Sequence, residues 1–349
     1  MAAMQTPASF ALVRFDLWLD PVFDERMRQT PAIALSIAPS RGDDERAWRM
    51  LSGADIYQIS AAKDELPRQF HADAALLARC PGLLCVSSAG AGYDTIDVHA
   101  CTRAGVAVVH QAGANAHSVA EMAIGLMLAV ARRIAESDRR LRSQRGFSRE
   151  ALMGRELAGK TLGIVGIGHA GTATARLAAA FGMRVLATDP YVGANEIRAR
   201  GAEPVPLDEL VAESDIVSLH CPRDHGTLGM FDAARFAAMR SGAIFISTAR
   251  GGIHDEAALA AALADGHLMG AGIDVWETEP PPLEHPLLAR PDVVATFHTA
   301  GVSREARRAV AAMAAEQISG LVRGIRPPCL INPQVWDHVS ARLRARSVG

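Results

Sequence analysis

The chain predicts an α/β fold in two domains, each built on a parallel sheet, and three observations carry that expectation. Its 349 residues exceed the usual size of a single core. Short apolar runs alternate with helical stretches along most of the length, the pattern of strand and crossover helix. One such unit also contains Gly163-Ile164-Val165-Gly166-Ile167-Gly168-His169-Ala170-Gly171, a spacing that marks a strand, a tight turn and the start of a helix.

In chain order, residues 32–37, 56–59, 83–87 and 106–109 read as strands of a first, smaller unit. A long helix follows over 117–134, with Ser118 three residues before Glu121 as a capping-box signal. The arginine-rich stretch 139–149 is polar and leads to a strand at 162–165, a helix at 170–181, and strands at 185–188, 216–219, 243–247, 269–273 and 293–296. These six strands match the size of a Rossmann sheet. A last helix over 303–322 is expected to return to the first unit. The fold class is therefore α/β, with a Rossmann dinucleotide-binding domain (116–302) inserted in a smaller flavodoxin-like α/β substrate domain (1–115 and 303–349).

Composition narrows the function. A formal charge of −2 gives no global attraction to nucleic acid or to a membrane surface, which points to small-molecule chemistry. Cys80, Cys85, Cys101, Cys221 and Cys329 are scattered without CxxC spacing, so they read as reduced thiols, and no metal site is expected. Met1–Pro7 lacks a basic patch followed by an apolar core, and the longest apolar run, 122–131, is too short to span a bilayer. A cytoplasmic protein with a short disordered N-terminal tail is expected.

The glycine motif has a physical reading. Gly166 permits the tight turn, Gly168 lets backbone amides approach a pyrophosphate, and Gly171 lets the helix pack on its strand. His169 and Ala170 open that helix, whose N-terminus faces the anion. Asp189, ending the next strand, suits the hydroxyls of an adenosine ribose and would repel a 2′-phosphate, so NAD(H) is expected in preference to NADP(H).

Arg250, Glu279 and His298 each follow a later strand, where ligands of such sheets bind. Reducing a 2-oxo acid needs a hydride donor, an anchor for the carboxylate and an acid for the nascent alkoxide. Arg250 offers a planar fork of donors to carboxylate and carbonyl. His298 can give the proton, and Glu279 can hold its imidazole.

The succession of the glycine motif and Asp189, Leu219-His220-Cys221-Pro222, Ser247-Thr248-Ala249-Arg250-Gly251-Gly252, Gly272-Ile273-Asp274-Val275-Trp276-Glu277-Thr278-Glu279-Pro280 and His298-Thr299-Ala300-Gly301 resembles the D-2-hydroxyacid dehydrogenases, phosphoglycerate dehydrogenase and hydroxypyruvate reductase among them. Ser88–Asp97 looks like the substrate loop of that family. The resemblance implies that amides of Ala91 and Gly92 bind the substrate carboxylate opposite Arg250, and that Arg250, Glu279 and His298 form the catalytic set. It places His220, Cys221, Pro222, Thr248 and Ala249 at the cofactor and Asp274 near the nicotinamide carboxamide. It implies closure of the domains on the substrate, and a homodimer through the long helix and the arginine-rich stretch.

Two departures bear on substrate. Phe297 stands where the family usually has proline, and Ser60 where phosphoglycerate dehydrogenases place an arginine, which weakens the case for a phosphorylated substrate. The expected function is NAD-dependent interconversion of a D-2-hydroxy acid and a 2-oxo acid. The alternative is an NAD-binding regulatory protein of the same fold, like the transcriptional corepressors that resemble these enzymes.

Overall fold

Strands buried on both faces read as near-continuous apolar runs, because crossover helices cover each side of a parallel sheet. Both sheets of this protein are of that kind. The computed structural model describes residues 10–348, with side chains through Arg346; the tail expected over Met1–Pro7 lies outside the described residues. The chain divides into two units, one formed by the residues through Asn115 together with Arg304 onward, the other by Ala116–Ser303.

In the first unit, β1 (Phe10–Phe15), β2 (Ile33–Ala38), β3 (Ile56–Ile59), β4 (Cys85–Ser88) and β5 (Ala107–Val109) form a five-stranded sheet in the order β2-β1-β3-β4-β5. Every pairing is parallel. This is the flavodoxin-like order. The strand β1, absent from the sequence expectation, lies inside the sheet between β2 and β3. The helix Arg304–Leu321 buries Ala311, Ala314, Ile318 and Leu321 in one cluster with Phe10, Leu12 and Leu84, so the C-terminal segment completes the core begun by the first strands.

In the second unit, β6 (Thr161–Val165), β7 (Arg184–Thr188), β8 (Glu203–Pro204), β9 (Ile216–Leu219), β10 (Ala243–Ser247), β11 (Leu268–Ile273) and β12 (Val293–Ala295) form a parallel sheet in the order β12-β11-β10-β9-β6-β7-β8. The chain order reverses between β6 and β9, the switch point at which ligands bind in Rossmann sheets. Six strands were expected and seven are present. The extra one, β8, has two residues, too few for any alternation, and its Pro204 lacks an amide proton, which an edge position tolerates.

The expected helix over 117–134 is two helices, Ala116–Ala131 and Ile134–Ser143. Arg133 separates them with φ +52°, a left-handed conformation. Its guanidinium and that of Arg140 both hold the buried Glu136 carboxylate at 2.7 Å, which fixes the start of the second helix. The arginine-rich stretch is thus helical through Ser143. Ser118 does not cap: the helix begins at Ala116, and the Ser118 hydroxyl donates to the Ala300 carbonyl at 2.7 Å. Among the described residues no helix is long and apolar enough to cross a membrane, and no group of acidic, His or Cys side chains is gathered to hold a metal ion. The five cysteines are free thiols.

Candidate active site

The glycine turn after β6 is shaped by its own backbone. Gly166 has φ +92°, and a Cβ there would stand 2.7 Å from the Cys221 amide nitrogen, so the His220-Cys221 backbone packs directly on the turn. A Cβ on Gly171 would meet the Gly166 carbonyl at 2.1 Å. At Gly168, by contrast, no atom lies within 4 Å of that position. The helix His169–Ala180 starts here, and its first internal bond, Thr172 N to Gly168 O at 2.9 Å, leaves the amides of His169, Ala170 and Gly171 ahead of it. These features fit a dinucleotide pyrophosphate: two glycines required by close packing, one open, and amide donors at a helix N-terminus.

Asp189, just beyond β7, uses Oδ2 to accept from Ile167 N at 3.0 Å and Oδ1 to accept from Tyr191 N at 2.9 Å. Its carboxylate therefore fixes the glycine turn as well as standing at the strand end. His220, Cys221 and Pro222 follow β9. The His220 ring is half-buried, with Nε2 2.9 Å from Ser218 Oγ, and desolvation lowers it to about 4, so it is neutral. The Cys221 thiol is pushed up by burial, which makes it packing rather than redox chemistry. Thr248 and Ala249 follow β10 and are buried, the Thr248 hydroxyl without a hydrogen-bond partner.

Arg250 stands at the end of that segment, half-buried, with Nη1 donating to the Ala249 carbonyl at 2.7 Å. The turn beyond it depends on glycine, since a Cβ on Gly251 would stand 1.8 Å from the Trp276 carbonyl oxygen. That contact seats the Arg250 turn on the segment leading to Glu279. Glu279 Oε1 accepts from Trp276 N at 3.1 Å, and its two oxygens lie 3.1 and 2.9 Å from His298 Nδ1. Burial alone would raise the Glu279 carboxyl. The His298 hydrogen bond and charge, the Trp276 amide and the charge of Arg250 outweigh it and hold the group below its ordinary value. A carboxylate on Nδ1 places the proton there, which makes Nε2 the acceptor nitrogen.

His298 itself has φ +45°, uncommon for a residue with a side chain. Asp274 holds it there. The Asp274 carbonyl accepts from His298 N at 2.7 Å, its Oδ1 accepts from Thr296 Oγ1 at 2.6 Å and Thr299 N at 2.9 Å, and its Oδ2 accepts from Ala300 N at 2.9 Å. The expectation put Asp274 beside the cofactor; its wholly buried carboxylate is engaged in building the His298 loop.

Residues 124–300 match the model of the D-isomer specific 2-hydroxyacid dehydrogenase family, NAD binding domain. The chain belongs to this family. It is 40% identical to a D-3-phosphoglycerate dehydrogenase of Archaeoglobus fulgidus over 74% of this chain and 49% of that protein, and so spans about half the length of that relative. It is 39% identical to a glyoxylate reductase of Korarchaeum cryptofilum over 75% of this chain and 80% of the other. Its structure is similar to that of D-lactate dehydrogenase from Aquifex aeolicus complexed with NAD and lactic acid, with a TM-score of 0.80, 25% identity, and 92% and 99% of the two chains covered.

In the first unit of this family member, the segment after β4 carries Ala91 and Gly92. Three successive carbonyls of that loop are taken up by neighbours: Gly90 O by Gln111 N at 2.9 Å, Ala91 O by His110 Nδ1 at 2.8 Å, and Gly92 O by the Ser88 hydroxyl at 2.5 Å. Gln111, fully buried, also donates through Nε2 to Ser88 O at 3.0 Å. Ser60, just past β3, donates its hydroxyl to Glu65 Oε2 at 2.8 Å, so a carboxylate rather than a cation stands at that strand end. Lys63 is exposed. His110 and Gln111 were missed in the sequence. Their signal was position alone, two polar residues directly after the strand β5.

Proposed function

We propose that the protein is an NAD-dependent dehydrogenase interconverting a small, non-phosphorylated D-2-hydroxy acid and its 2-oxo acid. The observation that carries this reading is the His298 Nδ1 to Glu279 contact at 2.9 Å, with Arg250 close enough to lower the same carboxylate. The cofactor, when bound, supplies or accepts the hydride. Gly166, Gly168, His169, Ala170 and Gly171 would hold its pyrophosphate, Asp189 its ribose, and His220, Cys221, Pro222, Thr248 and Ala249 would line it, while Asp274 shapes the His298 loop.

The chain's own groups do the rest. Arg250 binds the carboxylate of the acid and polarises the reacting carbonyl, while the amides of Ala91 and Gly92 bind the carboxylate. His298 Nε2 delivers a proton to the carbonyl oxygen in reduction and removes it in oxidation. Glu279 fixes the imidazole plane and keeps the Nδ1 proton towards itself. Asp189 disfavours a 2′-phosphate and so selects NAD(H). Ser60 and Glu65 in place of a cation argue against a phosphorylated substrate.

The exposed side chains Ile134, Leu141 and Met153, on and beside the second of the two helices, support a homodimer that covers them. The five free thiols support a cytoplasmic location. The test is NADH oxidation against glyoxylate, hydroxypyruvate, pyruvate, bulkier 2-oxo acids and phosphohydroxypyruvate. Turnover of a non-phosphorylated acid is expected. NADH binding without turnover of any compound overturns the enzyme assignment, and a preference for phosphohydroxypyruvate overturns the substrate class.

A further inference from the structure

We propose that His110 is a positioning residue that aims the amides of the Ala91–Gly92 loop at the substrate carboxylate. The inference rests on the dehydrogenase reading above. In a trans peptide the C=O and N–H point in opposite directions, and among the described residues the only cis bond is Glu279-Pro280. Drawing the Ala91 carbonyl to His110 Nδ1 at 2.8 Å therefore turns the Gly92 amide the other way. The neighbouring carbonyls, drawn to Gln111 N and Ser88 Oγ, turn the Ala91 and Tyr93 amides likewise. Consecutive amides in a turn can form an anion-binding concavity, and the chain bends at Ala89, Gly90 and Ala91.

Of the three groups that take up these carbonyls, only the His110 imidazole is a side chain from outside the loop. Its backbone is fixed from below: Gln317 Nε2 donates to the His110 carbonyl at 2.9 Å and to Gln111 Oε1 at 2.6 Å, and Gln317 Oε1 accepts from Cys329 N at 3.0 Å. The Tyr93 ring packs against the imidazole edge-on, with centroids 5.6 Å apart and planes at 87°, which sets the ring's orientation. The loop is thus ordered before substrate arrives, and binding need not supply that ordering.

The test compares His110→Asn, whose Nδ2 stands at the same remove from Cα as the imidazole Nδ1, with His110→Leu, which has no donor. His110→Leu should raise KM for the 2-oxo acid at least tenfold, with KM for NADH within twofold of wild type and kcat changed far less than KM. His110→Asn should restore KM to within about threefold. A merely structural role would shift both Michaelis constants together and would not distinguish the two variants. Equal KM in wild type and His110→Leu, or equal defects in the two variants, overturns the inference.

Calorimetric binding of oxalate in the presence of NADH separates this inference from the reading beneath it. If wild type turns over no 2-oxo acid, the dehydrogenase reading fails. Loss of oxalate binding in His110→Leu with retention in His110→Asn still upholds the role of His110; equal binding by all three proteins, or none by wild type, overturns it.

Discussion

The loop bearing Arg250 and the loop bearing Ala91 and Gly92 present groups suited to a carboxylate by opposite means. The first uses a charged side chain on a turn packed against apolar core: Ala249 and Ile253 are buried among the strands, and Gly251 lies against Trp276. The second uses uncharged backbone amides and stands on hydrogen bonds from Ser88, His110 and Gln111. A charged group can be read from its residue type, whereas an amide becomes functional only when something turns its carbonyl away.

That contrast can be broken in order of effect. His298→Gln removes the acid beside the charged loop and should lower kcat by about a hundredfold to ten-thousandfold while NADH affinity stays within twofold. The split is the reverse of the KM effect expected at His110; stopped-flow reduction and NADH fluorescence titration measure it, and equal turnover would remove His298 from the chemistry. Gly251→Ala is next. Backbone must move to relieve a 1.8 Å approach, and a loss of about 1–3 kcal/mol should appear in chemical denaturation. An unchanged midpoint would mean that the turn is not seated on Trp276.

The apolar footing of the Arg250 loop also gives it a pH sensitivity. His254, two residues past Gly252, is almost wholly buried against the Phe245 ring, neither ring nitrogen has a partner, and burial, opposed weakly by Asp255, lowers it to about 4. The unfolded chain binds a proton near pH 6.5 that the folded chain refuses, so stability is full above that pH and declines as pH falls toward 4. A displacement of this size corresponds to about 3 kcal/mol. His254→Val should flatten the fall in melting temperature over that window, measured against wild type. Parallel curves would count against the unpaired imidazole. The smallest effect is expected at Asp189→Ala, about a tenfold relaxation of the preference for NADH over NADPH, read as a ratio of kcat/KM.

Residues whose type alone suggests chemistry could be singled out from the sequence: the glycines of the turn, Asp189, Arg250, Glu279 and His298, of which the structure sets Glu279 against His298. Groups that act through distant partners were not. Ser118 matched a cap pattern, yet its hydroxyl goes to Ala300, far along the chain. Nothing local marks the helix break at Arg133, which has neither glycine nor proline and is held by the Glu136 ion pair. Arg14 interrupts the apolar run of β1, and only the fold shows that its charge is met by Asp24 at 2.6 Å. The role of Asp274 in the His298 loop depends on donors more than twenty residues onward.

The split first unit has a consequence for how the protein is made. A ribosome releases β1 to β5 early, but the helix Arg304–Leu321 that covers Phe10, Leu12 and Leu84 emerges only after all of Ala116–Ser303. The later-made unit is continuous in sequence and owns every strand of its sheet, so nothing made after it is needed to complete that sheet. The sheet that is translated first is the last to be closed, and until then Phe23 and Met27 of the early helix Val22–Arg28 cover that apolar face without the partners that complete it.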